Sequence, residues 1–188
     1  MSVNHQKQKY LRYNIPGDAH ALTFICYRRR KFLSISHTRI YFVEALILAK
    51  YKHNFDIWAY VIMPEHIHLL IFPKNEQYSI SDILKSIKQS SARRAVSFIK
   101  ENKPEALRLI TTGQKHDPYR FWQDGGGYDR NIRDNVELQR FVNYIHDNPV
   151  RRGLVVHPEE WYWSSAREWL SGERGPIKID KESFPMFK

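Results

Sequence analysis

Two short stretches of this 188-residue chain hold side chains whose types and spacing could do chemistry. The first is His66-Ile67-His68. On a β-strand alternate side chains share a face, so both imidazoles would point one way while Ile67 points into a core. Two neutral imidazoles so placed can bind one divalent metal ion. Taken alone, the pair also fits two half-buried polar residues; a third ligand and a substrate are needed to make it a site. The second stretch, Tyr144-Ile145-His146-Asp147-Asn148, lies on a predicted helix, where positions four apart share a face. Tyr144 would present a phenol and Asn148 an amide oxygen. An oxygen ligand beside two imidazoles suits magnesium or manganese and leaves positions open for phosphate oxygens. The competing reading makes Tyr144 an aromatic covering the sheet and Asn148 a C-terminal cap before Pro149. His146, on a different part of the helix, is read as structural or as supporting the site from behind.

A phenol attacking a phosphodiester needs help at neutral pH, because its reference pKa is about 10. A metal ion polarising the phosphate, with Lys or Arg nearby, would stabilise the charge that develops. The product, a phosphotyrosine, conserves the bond for rejoining. Tyr144, His66, His68 and Asn148 thus form one coherent set.

These residues need a scaffold, and hydrophobic periodicity supplies one. Ala19 to Tyr27 reads as a strand and Ser36 to about Lys52 as a helix with its apolar stripe at Ile40, Val43, Leu46 and Ile47. Phe55 to Met63 and His66 to Phe72 read as two strands joined so closely at Pro64-Glu65 that they must pair as an antiparallel hairpin. Ser79 to about Lys100 is a second helix. Asn102 to Gly127 is irregular, with Phe121-Trp122 and Tyr128 to Ile132 supplying a last short strand. Asp134 or Asn135 caps a helix through His146, which Pro149 is expected to end. The order β-α-β-β-α-β predicts an α+β fold: a ferredoxin-like or RNA-recognition-motif-like antiparallel sheet with helices on one face, the other face being free for chemistry or binding. A helical and aromatic extension containing Trp161-Tyr162-Trp163 and Trp169 follows.

Thirty Lys and Arg against twenty Asp and Glu give a formal net charge of +10. Such an excess points to a polyanionic partner, because neutralising phosphates releases counterions. Arg12, Arg28, Arg29, Arg30, Arg93, Arg94, Arg151 and Arg152 are candidates for phosphate clamps or guanine readers. Trp122, Trp161 and Trp163 could stack on unpaired bases or pack in the core. Cys26 is the single cysteine, which excludes an internal disulfide and a thiolate metal cluster and fits a reducing compartment. Met1 to Tyr13 has no apolar core of a secretory signal, and the apolar runs fall short of the ~20 residues of a membrane helix, so a cytoplasmic protein is expected, nucleoid-associated if its polyanionic partner is DNA.

Three segments together resemble the Y1 transposases of the IS200/IS605 group. They are Tyr-Val-Ile-Met-Pro-Glu-His-Ile-His-Leu-Leu at 60–70, Phe121-Trp122, and Tyr-Ile-His-Asp-Asn-Pro-Val-Arg-Arg-Gly-Leu-Val at 144–155. Trp-Tyr-Trp-Ser-Ser at 161–165 is similar to an element of the branch associated with repetitive extragenic palindromes, and the likeness spans most of Tyr10 to Trp169. The resemblance implies a basic arm (1–18), a histidine-hydrophobe-histidine (HUH) transposase domain (19–150) and a C-terminal extension (151–188). It implies that His66 and His68 bind Mg2+ or Mn2+ and that Tyr144 attacks single-stranded DNA beside a hairpin, leaving a 5′-phosphotyrosine and a free 3′-hydroxyl. Asn148 stands where many relatives carry glutamine, as the third ligand. The Gly125-Gly126-Gly127 insertion departs from the pattern. Two other readings remain, a module that binds hairpins without cutting and a phosphohydrolase that uses water. Monomer and homodimer are both open.

Overall fold

The computed structural model describes residues 12–125 and 127–185. The first eleven residues of the expected basic arm therefore lie outside the described ones. The chain runs through β1 (Ala19–Ile25), α1 (Ser36–His53), β2 (Phe55–Ile62), β3 (His66–Pro73), α2 (Ile80–Asn102), a single turn α3 (Leu107–Ile110), β4 (Tyr128–Ile132), α4 (Asn135–Arg151) and a short α5 (Ala166–Leu170). The strands form one antiparallel sheet in the order β2-β3-β1-β4, the order expected of a ferredoxin-like fold.

Strand alternation sorts the sheet into two faces. On one, Leu22, Phe24, Ile57, Ile67, Leu69 and Ile71 pack against Phe42 and Leu46 of α1 and Ile83 and Ile87 of α2. On the other, Ala19, Ala21, Ala59, Val61 and Leu70 meet Leu138, Val142 and Ile145 of α4. Helices α1 and α2 thus share one face as expected, and the opposite face is partly covered by α4, which the three alanines allow to come close. Residues 138, 142, 145 and 149 are the buried stripe of that helix, spaced four, three and four apart. A β-bulge at Trp58 shifts the β2–β3 register by one residue.

Three boundaries differ from the sequence reading. Strand β1 stops at Ile25, because Cys26 makes an isolated bridge to Trp122 and Tyr27–Arg29 turns into a 3-10 helix with Arg28 and Arg29 both at φ 54°. Phe121-Trp122 is not part of the last strand, which is Tyr128–Ile132 alone. Helix α4 does not end before Pro149 but runs to Arg151. A proline in the last turn forfeits one N–H bond only; beyond it Arg152 N–H donates to the Asn148 carbonyl at 3.2 Å and Leu154 N–H to the Pro149 carbonyl at 2.9 Å.

The outer edge of β2 is covered by the chain's own C-terminal part. Ile62 N–H donates to the Trp163 carbonyl (2.8 Å), Ser165 N–H to the Tyr60 carbonyl (3.0 Å) and Asp180 N–H to the Ile57 carbonyl (2.9 Å). Trp161 Nε1 adds a bond to the Ile62 carbonyl at 3.1 Å. Edge groups that would otherwise invite another strand are thereby satisfied. At the start of β4, Gly127 has φ +73°, and a Cβ there would collide with the Thr23 carbonyl, so only glycine lets this strand close on β1. Among the described residues no helix is long and apolar enough to cross a membrane.

Since α4 is held on the sheet mainly by its apolar stripe, truncating Ile145, which is fully buried, to alanine is expected to cost about 3 kcal/mol in chemical denaturation. A loss below about 1 kcal/mol would mean that this face does not seat the helix.

Candidate active site

The turn from β2 to β3 is short and tied down from three sides. Met63 N–H donates to the His66 carbonyl (2.9 Å), Cys26 N–H to the Glu65 carbonyl (2.8 Å) and Leu33 N–H to the Pro64 carbonyl (2.9 Å). His66 and His68 therefore begin β3 from a fixed point, and alternation puts both rings on the α4 side. Their Nε2 atoms lie 3.1 Å apart. Two nitrogens each about 2.1 Å from one ion in neighbouring octahedral positions would be about 3.0 Å apart, so the spacing suits a shared divalent cation.

Each ring is oriented from behind. His66 Nδ1 lies 3.1 Å from Glu65 Oε1, and His68 Nδ1 lies 2.8 Å from Thr23 Oγ1. With Nδ1 carrying the proton in both, the two Nε2 lone pairs are free to ligate. Glu65 is itself held by Arg152, whose Nη2 donates to the same Oε1 at 2.9 Å. Burial lowers the His66 pKa, against the pull of the Glu65 carboxylate and helped by the Arg152 and Arg29 charges. Burial, then the neighbouring His66, pushes His68 down to about 3. Both imidazoles are thus biased to the neutral, ligating form.

Tyr144 comes to this pair from α4. Its hydroxyl is 3.5 Å from His68 Nε2, and its ring packs beside Phe141 (centroids 6.0 Å apart) with the Arg151 guanidinium 5.5 Å from its centroid. The residue is 38% exposed, so part of its side chain faces solvent. Asn148, one turn further along the same helix, is buried and makes no side-chain hydrogen bond with the described residues. Among the described residues no group of three His, Cys, Asp or Glu is placed to hold a metal. His146 is absent from this cluster: it is buried, with Nε2 2.9 Å from Ser165 Oγ.

The candidate DNA contacts divide. Arg151 and Arg152 flank the site, and Arg29 is near enough to act on His66. Arg28 and Arg30 are exposed in the same turn. Arg93 and Arg94 lie on α2, which covers the opposite face; Arg94 is ion-paired with Glu44 and set over the Tyr41 ring. Arg12 is mostly enclosed, beside Asp129 at 3.3 Å and Ser81 at 3.1 Å. Trp122 is a correction. It is 4% exposed, packs on Phe24 and Phe42 and donates Nε1–H to Ser91 Oγ at 3.0 Å, so it is a core residue and no stacking platform. Trp161 and Trp163 flank the Arg39 guanidinium at 5.6 and 5.0 Å. Sequence reasoning missed Glu65 and Thr23. The first adjoins His66 in sequence; the second is revealed only by the register that pairs Thr23 with His68.

Comparison with known proteins decides the family. The model described as "Transposase IS200 like" matches residues 18–148. The chain belongs to the IS200-like transposase family. Among its relatives, the REP-associated tyrosine transposase of Escherichia coli K12 is 26% identical over 172 residues, 92% of this chain and 89% of the relative. A protein assigned the same name in Haemophilus influenzae is 29% identical over 126 residues, 66% of each chain. The fold of this IS200-like transposase is also that of a solved REP-associated tyrosine transposase bound to a REP hairpin, with a TM-score of 0.65 at 24% identity, covering 93% of this chain and 92% of the other.

A pH dependence follows from His146, whose pKa burial lowers from 6.5 to about 4. Above pH 6.5 neither folded nor unfolded chain is protonated there; as pH falls from 6.5 to about 4 the unfolded chain takes the proton first. This group's contribution is therefore expected to fall across that window, by about 3 kcal/mol, and to level off below it, whereas that of His68 continues to fall toward about pH 3. Urea midpoints against pH check this, and an H146Q variant should make the slope between pH 6.5 and 4 shallower by the His146 share.

Proposed function

We propose that this transposase cuts and rejoins single-stranded DNA beside a hairpin, with Tyr144 as the nucleophile. The observation that carries the reading is the approach of the Tyr144 hydroxyl to within 3.5 Å of His68 Nε2, at a histidine pair spaced for one cation. A divalent ion, Mg2+ or Mn2+, would be held by His66, His68 and the Asn148 amide oxygen, and would polarise the scissile phosphate. Hairpin recognition is suggested by the REP hairpin bound to the structural neighbour, together with the net charge of +10.

The chain's own residues account for the rest. The Tyr144 oxygen attacks phosphorus and loses its proton to solvent; the phosphorus–O3′ bond breaks, leaving a 5′-phosphotyrosine and a 3′-oxygen that is protonated. A second 3′-hydroxyl attacking that linkage reverses the exchange, so no water or nucleotide is consumed. Arg151 beside the phenol ring, and Arg152 and Arg29 near His66, supply positive charge where phosphate oxygens would lie. Glu65 and Thr23 fix the imidazole orientation so that the reacting groups need not reorganise.

The test incubates the purified chain with labelled hairpin-containing single strands and Mn2+, followed by a denaturing gel. A slow-migrating covalent adduct is expected, absent from Y144F and from samples with chelator. Hairpin binding without any adduct would replace this reading by a binding module, and cleavage that survives Y144F would replace it by a hydrolase using water. Removing the carboxylate behind His66 with E65Q is expected to weaken Mn2+ binding by about tenfold to a hundredfold. Calorimetry that finds unchanged affinity would show that Glu65 does not support the site.

A further inference from the structure

Tyr144 and His146 are two residues apart on α4 and so project roughly 200° from each other. Tyr144 reaches the histidine pair, whereas His146 reaches the C-terminal extension, where its Nε2 lies 2.9 Å from Ser165 Oγ. Both partners of that contact are buried, at 6% and 0% exposure. Ser165 is in turn fixed to β2. Tyr60 N–H donates to Ser165 Oγ at 2.9 Å, Ser165 N–H donates to the Tyr60 carbonyl at 3.0 Å, and Ser164 bridges Val61.

Apolar contact and a directed bond do different things to a helix. The stripe of Leu138, Val142 and Ile145 resists separation from the sheet but is non-directional, and tolerates small rotations about the helix axis. A buried hydrogen bond of defined length does not. The Tyr144 hydroxyl is carried on a long side chain, so a small rotation of α4 displaces it from the histidine pair. We propose that Ser165, acting through His146, is a positioning device for the nucleophile: the C-terminal extension sets the rotation of α4 and so aims Tyr144. This rests on the reading of Tyr144 as nucleophile, and gives Ser165 of the Trp161–Ser165 element a role in the reaction through α4.

The test measures single-turnover adduct formation, hairpin affinity and Mn2+ affinity on the same preparations. H146L keeps bulk and removes the bond; H146Q carries an amide to the place of Nε2; S165A removes the other partner, and with it the acceptor of the Tyr60 N–H, but leaves the Ser165 N–H bond to the Tyr60 carbonyl. H146L and S165A are expected to slow adduct formation by on the order of tenfold to a hundredfold at unchanged hairpin affinity, with any loss of Mn2+ affinity smaller than the loss of rate, since of the three ligands only Asn148 rides on α4. H146Q should stay near the unaltered rate, and the H146L/S165A double variant should be no slower than either single one. Should H146L fail to fold, S165A alone decides by the same split between rate and affinity. Equal rates in all variants, an H146Q as slow as H146L, or a rate that falls only in step with hairpin affinity would overturn the inference. No adduct from the unaltered chain would bring down the functional reading and this inference with it; adduct from the unaltered chain with no effect of the variants overturns this inference alone.

Discussion

Because successive side chains of a strand leave opposite faces, the first three residues of β3 do two jobs at once. Ile67 is fully buried with Leu22, Phe24 and the helices on one side, while His66 and His68 on the other hold their Nε2 atoms 3.1 Å apart. The backbone under the pair cannot shift without dragging Ile67 out of the core, so both rings are anchored to the sheet. The antiparallel register with β1 then brings Thr23 opposite His68 without any further element.

Burial is the second half of that arrangement. Removing the imidazoles from water keeps them neutral, which a cation needs, and the same desolvation strengthens the bonds from Glu65 and Thr23. Glu65 stands in the turn, His66 in the strand and Arg152 at the end of α4, so the chain Arg152–Glu65–His66 links the helix carrying Tyr144 to one ring of the histidine pair. Tyr144 and the histidines are thereby referred to the same frame.

The sheet, its helices and the order of elements along the chain were legible in the sequence, because the short apolar, β-former-rich runs in Phe55 to Phe72 and the helical spacing in Ile80 to Ile99 are strong local signals. The histidine pair was legible for the same reason: His-x-His within a strand fixes its own geometry. What was not legible depends on packing between distant segments. Trp122 looks like any exposed aromatic until Ser91, Phe24 and Phe42 close on it. Thr23 has no meaning until the register is known. Pro149 reads as a stop, yet it stands in the final turn, where the bonds made by Arg152 and Leu154 carry the helix past it.

The sealed edge of β2 limits how copies of this chain could share a sheet. Residues 163–165 and Asp180 occupy the backbone groups of that strand, and β4 is the one sheet edge without a neighbouring strand among the described residues. An open-ended stack of sheets needs two edges per molecule, one to receive and one to offer. With one edge consumed internally, pairing through β4 uses up both partners' free edges in a single event, and growth by strand addition stops at two copies.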